Sequence, residues 1–453
     1  MSEVSTSSRD TAFDWHGHFM RLADEMMQLQ SSGEFFLLTL NAEQSDFIRF
    51  NAGKVRQIGS VSQGKLTLRL IEGARQAYST FTVSGDLEMD RPTVAQALDA
   101  LRTGLRDASD DPHLLFDRSQ WARSTRRTGT LAEPGALVRA VAEHAAALDF
   151  VGFYAAGSMA RGFASSSGSR GWYEIENFNF SWSLYAPSGR AIKSSYSGEH
   201  WDYGLFAEKL RRAAERLPML SVAPRALEPG RYRAYLAPEA VRELLGSAAF
   251  SAFSARSQAS ARSEFYKLHT GETMLDSRVV LTENLDLGIT PGFNEDGYLR
   301  ESVPLIDAGR SVGQLVNARS AREYGLCPNG APASEAPVAL SMAGGDLADS
   351  DVLTALGTGL YVGNLWYVNA SDRMNCRLTG MTRFATFWVE DGEIVAPVDA
   401  MRFDDSLYRV LGSELERLGA QPELLLDDDT WGERATGGMK LPGLLLRAFE
   451  LTL

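Results

Sequence analysis

The sequence is poor in the residues that build metal centres and disulfide frameworks. Its 453 residues contain six histidines and two cysteines, Cys327 and Cys376. Two cysteines cannot form a disulfide framework and are typical of a reducing cytoplasm. No two histidines lie one helical turn apart, which is the simplest way for a helix to supply two zinc ligands. We therefore expect no metal ion and no cofactor in this chain.

Long apolar runs and a concentration of basic residues are also missing. No apolar run reaches the about 18 residues of a membrane span. The first residues lack a basic segment followed by an apolar one, so we expect no signal peptide and a cytoplasmic location. The net charge of −13 argues against nucleic acid as the main partner. Neither G-x-G-x-x-G after a strand nor a Walker A loop occurs, so nucleotide binding has no support.

The composition is that of a packed globular protein with more than one domain. Hydrophobic residues make up 44% of the chain and aromatic residues 10%. A chain of 453 residues is too long for one ordinary core. The segment 221–230 is rich in turn-forming residues, so we predict an N-terminal α+β domain over 1–223 and a C-terminal, mostly β domain over 224–453. Residues 1–12 are polar and predicted to be disordered.

Hydrophobic periodicity predicts the main elements. An amphipathic helix is expected over 15–29, an antiparallel meander over 34–83, and a helix after Asp90 with Pro92 in its first turn. The predicted turns of the meander are Asn51–Gly53, Gln63–Gly64 and Glu72–Gly73. Further predicted elements are helices over 134–148 and 202–217, a strand over 178–184, a strand over 231–236 and a helix over 238–253. This order predicts an α+β fold with antiparallel or mixed sheets and segregated helices.

Three isolated features have ordinary interpretations. His16 and His18 flank Gly17 without an acidic or cysteine partner, which indicates an incidental surface pair. Cys376 lies between Arg373 and Arg377, so an activated thiol is conceivable, but a small packing residue is the simpler account for both cysteines. The run Asp427-Asp428-Asp429 is typical of a solvated turn.

The segment from Gly359 to Val398 is predicted to be strand, loop, strand, tight Asp391-Gly392 turn and strand. Its loop region combines aromatic and forked donor side chains, which suit a surface that grips an extended peptide or a partner subunit. The alternative is a sheet whose polar side faces water and whose tryptophan is core. The candidate substrate- or partner-binding residues are Trp366, Tyr367, Arg373, Asn375 and Arg383.

Several stretches, in order along nearly the whole chain, resemble the TldD/PmbA family. They are the meander strands 48–55 and 65–75, the segment Pro291–Gly309 and the segment Phe387–Ile394. Phe293, Glu295, Gly297, Leu305, Ile306 and Gly309 match the family's F-D-x-E-G…L-I-x-x-G pattern in kind. The resemblance implies a TldD/PmbA-like fold and a link to peptide processing.

Catalytic members of this family carry an HExxxH zinc motif on a helix that follows a strand like 231–236, and a third ligand, a cysteine, near the C-terminus. The matching helix here has neither His nor Glu from Leu244 to Arg262, and Gly246, Ser247 and Ser251 lie near the motif positions without being ligands. The region of the cysteine offers Trp431. The resemblance is therefore to the TldE (PmbA) branch, whose members pair with a zinc-bearing TldD-type subunit.

This resemblance implies a non-catalytic subunit of a heterodimeric zinc peptidase that acts on unfolded or small peptides, with the zinc in the partner. A homodimer of the isolated chain is a further state that it allows. Two alternatives stay open: a regulatory protein-binding module, and a self-sufficient hydrolase built on Cys376 or the arginine-rich loop.

Overall fold

A computed structural model describes residues 13–452. The predicted disorder of residues 1–12 lies outside this range. Residues 13–229, the first half of the described chain, contain seven strands and four α-helices, and these are named here in chain order. The strands are β1 (Glu34–Asn51), β2 (Lys54–Glu72), β3 (Arg75–Val83), β4 (Ala122–Arg127), β5 (Asp149–Ser165), β6 (Arg170–Tyr185) and β7 (Ala191–Gly198). The helices are α1 (Trp15–Leu29), α2 (Leu87–Asp107), α3 (Pro134–His144) and α4 (Tyr203–Arg216).

The seven strands form one sheet in the order β3-β2-β1-β5-β6-β4, with β7 on the free half of β6. All neighbours are antiparallel except β4 and β6. Alternate residues of β1, from Phe36 to Phe50, point to one face. The helices α1 and α2 cover that face at one end of the sheet, and α3 and α4 cover it at the other. The four helices therefore bury one face and leave the opposite face to the rest of the molecule.

The predicted meander is confirmed, but one of its turns is wrong. Gln63 and Gly64 lie inside the continuous strand β2. A side chain at Gly64 would lie 2.5 Å from the indole ring of Trp15, so the glycine makes room for α1 instead of ending a strand. The strands are also longer than the short alternating stretches of the sequence indicate.

Helix α2 begins earlier than the sequence predicts. The helix begins at Leu87, because Asp86 caps it by accepting from the backbone N–H of Glu88. Asp90 is buried and accepts hydrogen bonds from Ser84, Gly85 and the Nε2 of His18. Pro92 therefore lies in the helix interior. The predicted surface location of His18 is wrong, since its side chain is fully buried beside Asp90.

The second half contains thirteen strands and five α-helices within the described residues. The strands are β8 (Gly230–Leu236), β9 (Leu281–Glu283), β10 (Val303–Asp307), β11 (Arg310–Ser311), β12 (Ala339–Met342), β13 (Gly359–Asp372), β14 (Arg377–Glu390), β15 (Glu393–Pro397), β16 (Arg402–Ser406), β17 (Leu415–Leu418), β18 (Glu423–Leu426), β19 (Gly438–Leu441) and β20 (Leu444–Leu451). The helices are α5 (Pro238–Ala252), α6 (Ala255–Ala259), α7 (Tyr266–His269), α8 (Ala318–Tyr324) and α9 (Val352–Leu356).

These strands form two sheets. One has the order β11-β10-β9-β12-β19-β18. In the other, β13, β8, β20, β16 and β14 pair in succession and β14 pairs back with β13, which closes a ring of five strands. The strand β15 follows β14 after the predicted turn and pairs with it in antiparallel orientation. In that turn Asp391 and Gly392 both have positive φ. The α+β fold is thus confirmed, with helices packed against mixed and antiparallel sheets.

The predicted boundary falls in the loop between α4 and β8. Every strand of the first sheet ends by Gly198, and every strand of the other two sheets begins at or after Gly230. The two halves nevertheless share apolar contacts, since Ala385 and Phe387 of β14 pack in the same cluster as Trp201 and Phe206. The division into two domains stays a prediction.

Within residues 13–452, no helix is both long and apolar enough to cross a membrane.

Candidate functional site

The helix α5 follows β8 directly, as the sequence predicts, and Pro238 occupies its first turn. β8 pairs in parallel with β13, and the chain leaves the carboxyl end of β8 to enter α5. One side of α5 is fully buried and consists of alanine, leucine and valine side chains. The other side exposes Glu243, Gly246 and Phe250, spaced by three and four residues. Phe250 is 73% exposed, which is unusual for a phenylalanine on a packed helix.

The positions near the family's metal motif carry no ligand set. Gly246 is exposed, and Ser247 is half-buried. Ser251 donates its hydroxyl to the carboxylate of Glu264. No group of three or more His, Cys, Asp or Glu side chains that could hold a metal is found among residues 13–452. The zinc that the family implies therefore does not fit the residues of α5.

A loop between β18 and β19 contacts the N-terminal half of α5. Its Asp427 and Asp428 lie 3.7 Å and 3.2 Å from the guanidinium of Arg242 on α5. Burial raises the pKa of Asp427, and Arg242 opposes that rise. The side chains of Asp427 and Asp428 are 48% and 46% exposed, so the interpretation of this run as solvated agrees with their surroundings. The indole of Trp431 in the same loop is 93% exposed.

Arg434 fixes this loop to the face of the first sheet that is opposite the four helices. Its side chain is buried, and it donates to the side-chain oxygen of Asn177 at 2.5 Å and to the carbonyl of Gly157 at 3.4 Å. Burial lowers the pKa of Arg434 to about 10, and Glu43 opposes that shift. Sequence reasoning missed this residue, because nothing in its local sequence distinguishes it from an exposed arginine.

Further polar contacts join that face to the second half of the chain. Asn179 donates to the carbonyl of Asp427 at 2.6 Å, and Ser197 donates to the carbonyl of Leu424 at 3.1 Å. Ser195 donates to the carboxylate of Glu239 at the start of α5. The polar residues that alternate along β6 and β7 thus face the C-terminal half. As a result, α5 and the loop 427–437 lie beside the polar face of the first sheet.

Three of the five candidate binding residues lie close together at the far half of the β13–β14 hairpin. The guanidinium carbon of Arg383 lies 4.2 Å from the ring centre of Trp366, and the rings of Trp366 and Tyr367 are 5.4 Å apart. Trp366 is 44% exposed and Tyr367 69%, so the alternative that Trp366 is a core residue is wrong. Tyr367 and Phe384 both have positive φ, at places where the register of the hairpin shifts.

The other two candidates lie at the hairpin turn, next to α7. Arg373 is largely exposed, and its Nε is 3.7 Å from the carboxylate of Glu264. Asn375 accepts a hydrogen bond from Lys267 at 2.7 Å and donates to Asp372. The five residues are therefore two groups at different positions on one hairpin, and not a single cluster.

The cysteines lie in contrasting places. Cys376 is fully buried at the end of the turn, and burial raises the pKa of its thiol. A neutral, enclosed thiol suits a packing residue and not a nucleophile. Cys327 is exposed, so its interpretation as a packing residue is wrong.

Comparisons with known proteins agree with this architecture. Residues 229–452 match the family model of the PmbA/TldA metallopeptidase C-terminal domain. A search of curated proteins gave no significant match. TldE from Thermococcus kodakarensis is similar in structure, with a TM-score of 0.78 at 14% identity over 96% of this chain and 99% of that one.

Two further solved structures are similar and are described as candidate modulators of DNA gyrase. The protein from Thermotoga maritima gives a TM-score of 0.76 at 14% identity, covering 96% of this chain and 100% of that one. The protein from Bacteroides thetaiotaomicron gives 0.72 at 15% identity, covering 96% and 98%. At such low identity, these likenesses show the fold, which is shared along nearly the whole chain.

Proposed function

Since the chain belongs to the TldD/PmbA family, we propose that it is a non-catalytic, TldE-like subunit of a zinc peptidase. Its partner is a TldD-type subunit that holds the zinc, and the substrate of the pair is an unfolded or small peptide. The zinc held by the partner would supply Lewis-acid chemistry for the scissile carbonyl and for the attacking water. This chain supplies part of the surface that holds the peptide in an extended form.

The exposed side of α5 is the observation that carries this proposal. A catalytic zinc site needs three protein ligands that converge and leave a fourth position open. At the motif positions α5 instead presents Gly246, Ser247 and Ser251, and Ser251 is already engaged by Glu264. Trp431, in the loop where relatives carry a third ligand, projects into solvent. These side chains suit contact with a peptide or a protein better than metal binding.

The far half of the β13–β14 hairpin supports a binding role as well. Trp366, Tyr367 and Arg383 combine aromatic surface with a cation above one ring, and such residues are enriched where partners are held tightly. The hydrolase alternative based on Cys376 has less support, because its thiol is enclosed and stays protonated at neutral pH. The regulatory alternative differs from the proposal in its partner, which would be a folded protein other than a TldD-type subunit.

Separate purification of this chain and a TldD-type subunit tests the proposal. Metal analysis after dialysis should give well under one zinc equivalent for this chain and about one for the partner. Peptide hydrolysis should require the partner's zinc and increase when this chain is added. Firmly bound stoichiometric zinc together with peptidase activity in this chain alone would overturn the assignment.

A further inference from the structure

The face of the first sheet that carries no helix contains a groove to which the proposed function assigns no role. It has a volume of about 490 Å³ and crosses β1, β2, β5, β6 and β7. Its lining contains three cationic side chains, several polar and aromatic ones, and no carboxylate. The lining residues that matter here are Arg49, Arg56, Phe153, Ser181, Ser183 and Lys193. We call it the basic groove.

The strand register places these side chains in rows on one face. Arg49 of β1 faces Phe153 of β5, which in turn faces Ser181 of β6. One step along the sheet on the same face, Ser183 of β6 faces Lys193 of β7. The guanidinium carbon of Arg49 lies 5.1 Å from the ring centre of Phe153. The groove therefore combines a flat aromatic wall with hydroxyl groups and cations at both ends.

The cations of the groove have no directly paired acid in the described part of the chain. Within residues 13–452, neither Arg49, Arg56 nor Lys193 belongs to an ion pair closer than 4.0 Å. Partial desolvation on α5 raises the pKa of the Glu243 carboxyl, and the ammonium of Lys193 opposes that rise. These three cations share one concave surface although the net charge of the chain is −13. Such a concavity attracts anionic groups from solution.

We propose that the basic groove binds a carboxylate of the peptide substrate. This deepens the proposed function, on which it rests, by assigning a substrate class: extended peptides with an acidic side chain or a free C-terminus. The planar guanidinium of Arg49 can donate two parallel hydrogen bonds to a carboxylate. Phe153 offers an apolar surface to the adjoining part of the peptide, and Ser181 and Ser183 supply hydroxyl groups for its backbone.

The size and position of the groove favour a peptide over nucleic acid. A volume of about 490 Å³ accommodates one or two amino-acid residues. Three cations are too few for a phosphate backbone, whose recognition needs an extended basic face. Lys193 also lines a second hollow, of about 210 Å³, together with Glu239 at the start of α5. A peptide held by its carboxylate in the basic groove can therefore continue towards α5.

Fluorescence anisotropy on the purified full chain, without any partner, tests the proposal. The probe is a fluorescein-labelled Gly-Ser octapeptide ending in Glu-Glu with a free C-terminus. Three matched probes carry a C-terminal amide, Gln-Gln in place of Glu-Glu, or both changes. We expect the doubly changed peptide to bind at least tenfold more weakly, and the single changes to show whether the side chains or the C-terminus provide the carboxylate. Binding should weaken as salt rises, because the cations are exposed to solvent.

Variants locate the site. Arg49→Gln and Lys193→Gln should each weaken binding of the acidic peptide about tenfold, the usual effect of losing a hydrogen bond to a charged group. Arg21→Gln is the matched control, since Arg21 is an exposed arginine on α1, away from the groove. Equal binding of the acidic and the doubly changed peptides, or equal losses for Arg21→Gln and Arg49→Gln, would overturn the proposal. Tighter binding of an eight-nucleotide single-stranded DNA would overturn it in favour of nucleic acid. Because no partner or zinc is present, these outcomes are independent of the test of the proposed function.

Discussion

Two tryptophans of the β13–β14 hairpin each contact an arginine, but one is buried and the other is exposed. Trp388, near the base, lies 4.6 Å from the guanidinium carbon of Arg225, and Trp366, in the far half, lies 4.2 Å from that of Arg383. Trp388 is 8% exposed and packs against Tyr232 in the main core of the second half. Trp366 is 44% exposed. The arginine above the ring therefore does not distinguish a core residue from a candidate contact residue.

The difference follows from what pairs with each half of the hairpin. At the base, β13 is flanked by β14 and by β8, which pairs only with Leu360, Tyr361 and Val362. Beyond that point β8 has ended, and none of the described strands pairs with the second side of β13. The register of the hairpin also shifts there, next to residues with positive φ. The far half thus combines an open strand edge with exposed aromatic rings, which is typical of a surface that binds a partner.

Truncation at the base should have the largest effect. Trp388→Ala removes a buried ring and the hydrogen bond from its Nε1 to Glu390. We expect a loss of about 3–5 kcal/mol in the free energy of unfolding. Urea denaturation measures it, with Trp431→Ala as the matched control, because that indole is 93% exposed and should cost less than about 0.5 kcal/mol. Similar losses for the two variants would contradict the contrast.

Truncation in the far half should affect binding more than folding. For Trp366→Ala we expect a stability loss of about 1 kcal/mol, and a loss of about 2 kcal/mol in assembly with a TldD-type subunit. Urea denaturation and a binding titration on the same protein separate the two quantities. A large loss of stability with normal binding per folded molecule would show that Trp366 is structural.

Removal of the arginine at the turn should have a smaller effect. Arg373 is mostly exposed and lies 3.7 Å from Glu264, so Arg373→Ala should leave stability within about 0.5 kcal/mol. We expect assembly, or peptide turnover by the assembled pair, to weaken by about 1 kcal/mol. Ser371→Ala, on the same exposed segment, is the control. Unchanged assembly and turnover would remove Arg373 from the candidate residues.

The smallest effect concerns protonation at the turn. The side chain and backbone N–H of Asn375 donate to Asp372, and the side-chain bond is the main reason why the pKa of Asp372 lies below its ordinary value of 3.8. Because the folded-state pKa is the lower one, the contribution of Asp372 is present above pH 3.8 and is lost as the pH falls through the folded-state value. The amide shift of Asn375 in NMR should titrate with a midpoint below 3.8, and Asp372→Asn should abolish that titration. A midpoint at or above 3.8 would contradict the assignment.

Local patterns in the sequence predict the helices and strands well, but they do not predict contacts between residues that are far apart in the chain. The alternation from Phe178 to Leu184 correctly predicts a strand with an apolar and a polar side. It cannot show that the polar side is covered by residues more than 200 positions away, such as Asp427 and Arg434. Gly64 predicted a turn because its real reason, the ring of Trp15, lies outside the local pattern.

The same limit applies to the candidate site. The helix after β8 and the hairpin were predicted in place, since both depend on local periodicity and turn residues. The separation of Trp366 from Arg373 along the hairpin depends on where β8 ends, which the sequence does not reveal. The basic groove was missed because Lys193 of β7 lies more than 130 residues from Arg49 and Arg56, which belong to the β1–β2 hairpin.

Synthesis from the N-terminus completes the first sheet long before the closed ring of five strands. All seven strands of that sheet have been made by Gly198, whereas the ring needs β20, which lies between β8 and β16 and ends at Leu451. Translation of the roughly 250 residues between these points takes on the order of 10–50 s. During that interval β8, β13 and β14 exist without the strand that closes the ring, and the polar face of the first sheet lacks Arg434. We therefore expect the nascent chain to be most prone to aggregation in this interval, because unpaired strand edges of the ring are then exposed. A ribosome stalled before Leu444 would keep the chain in that state.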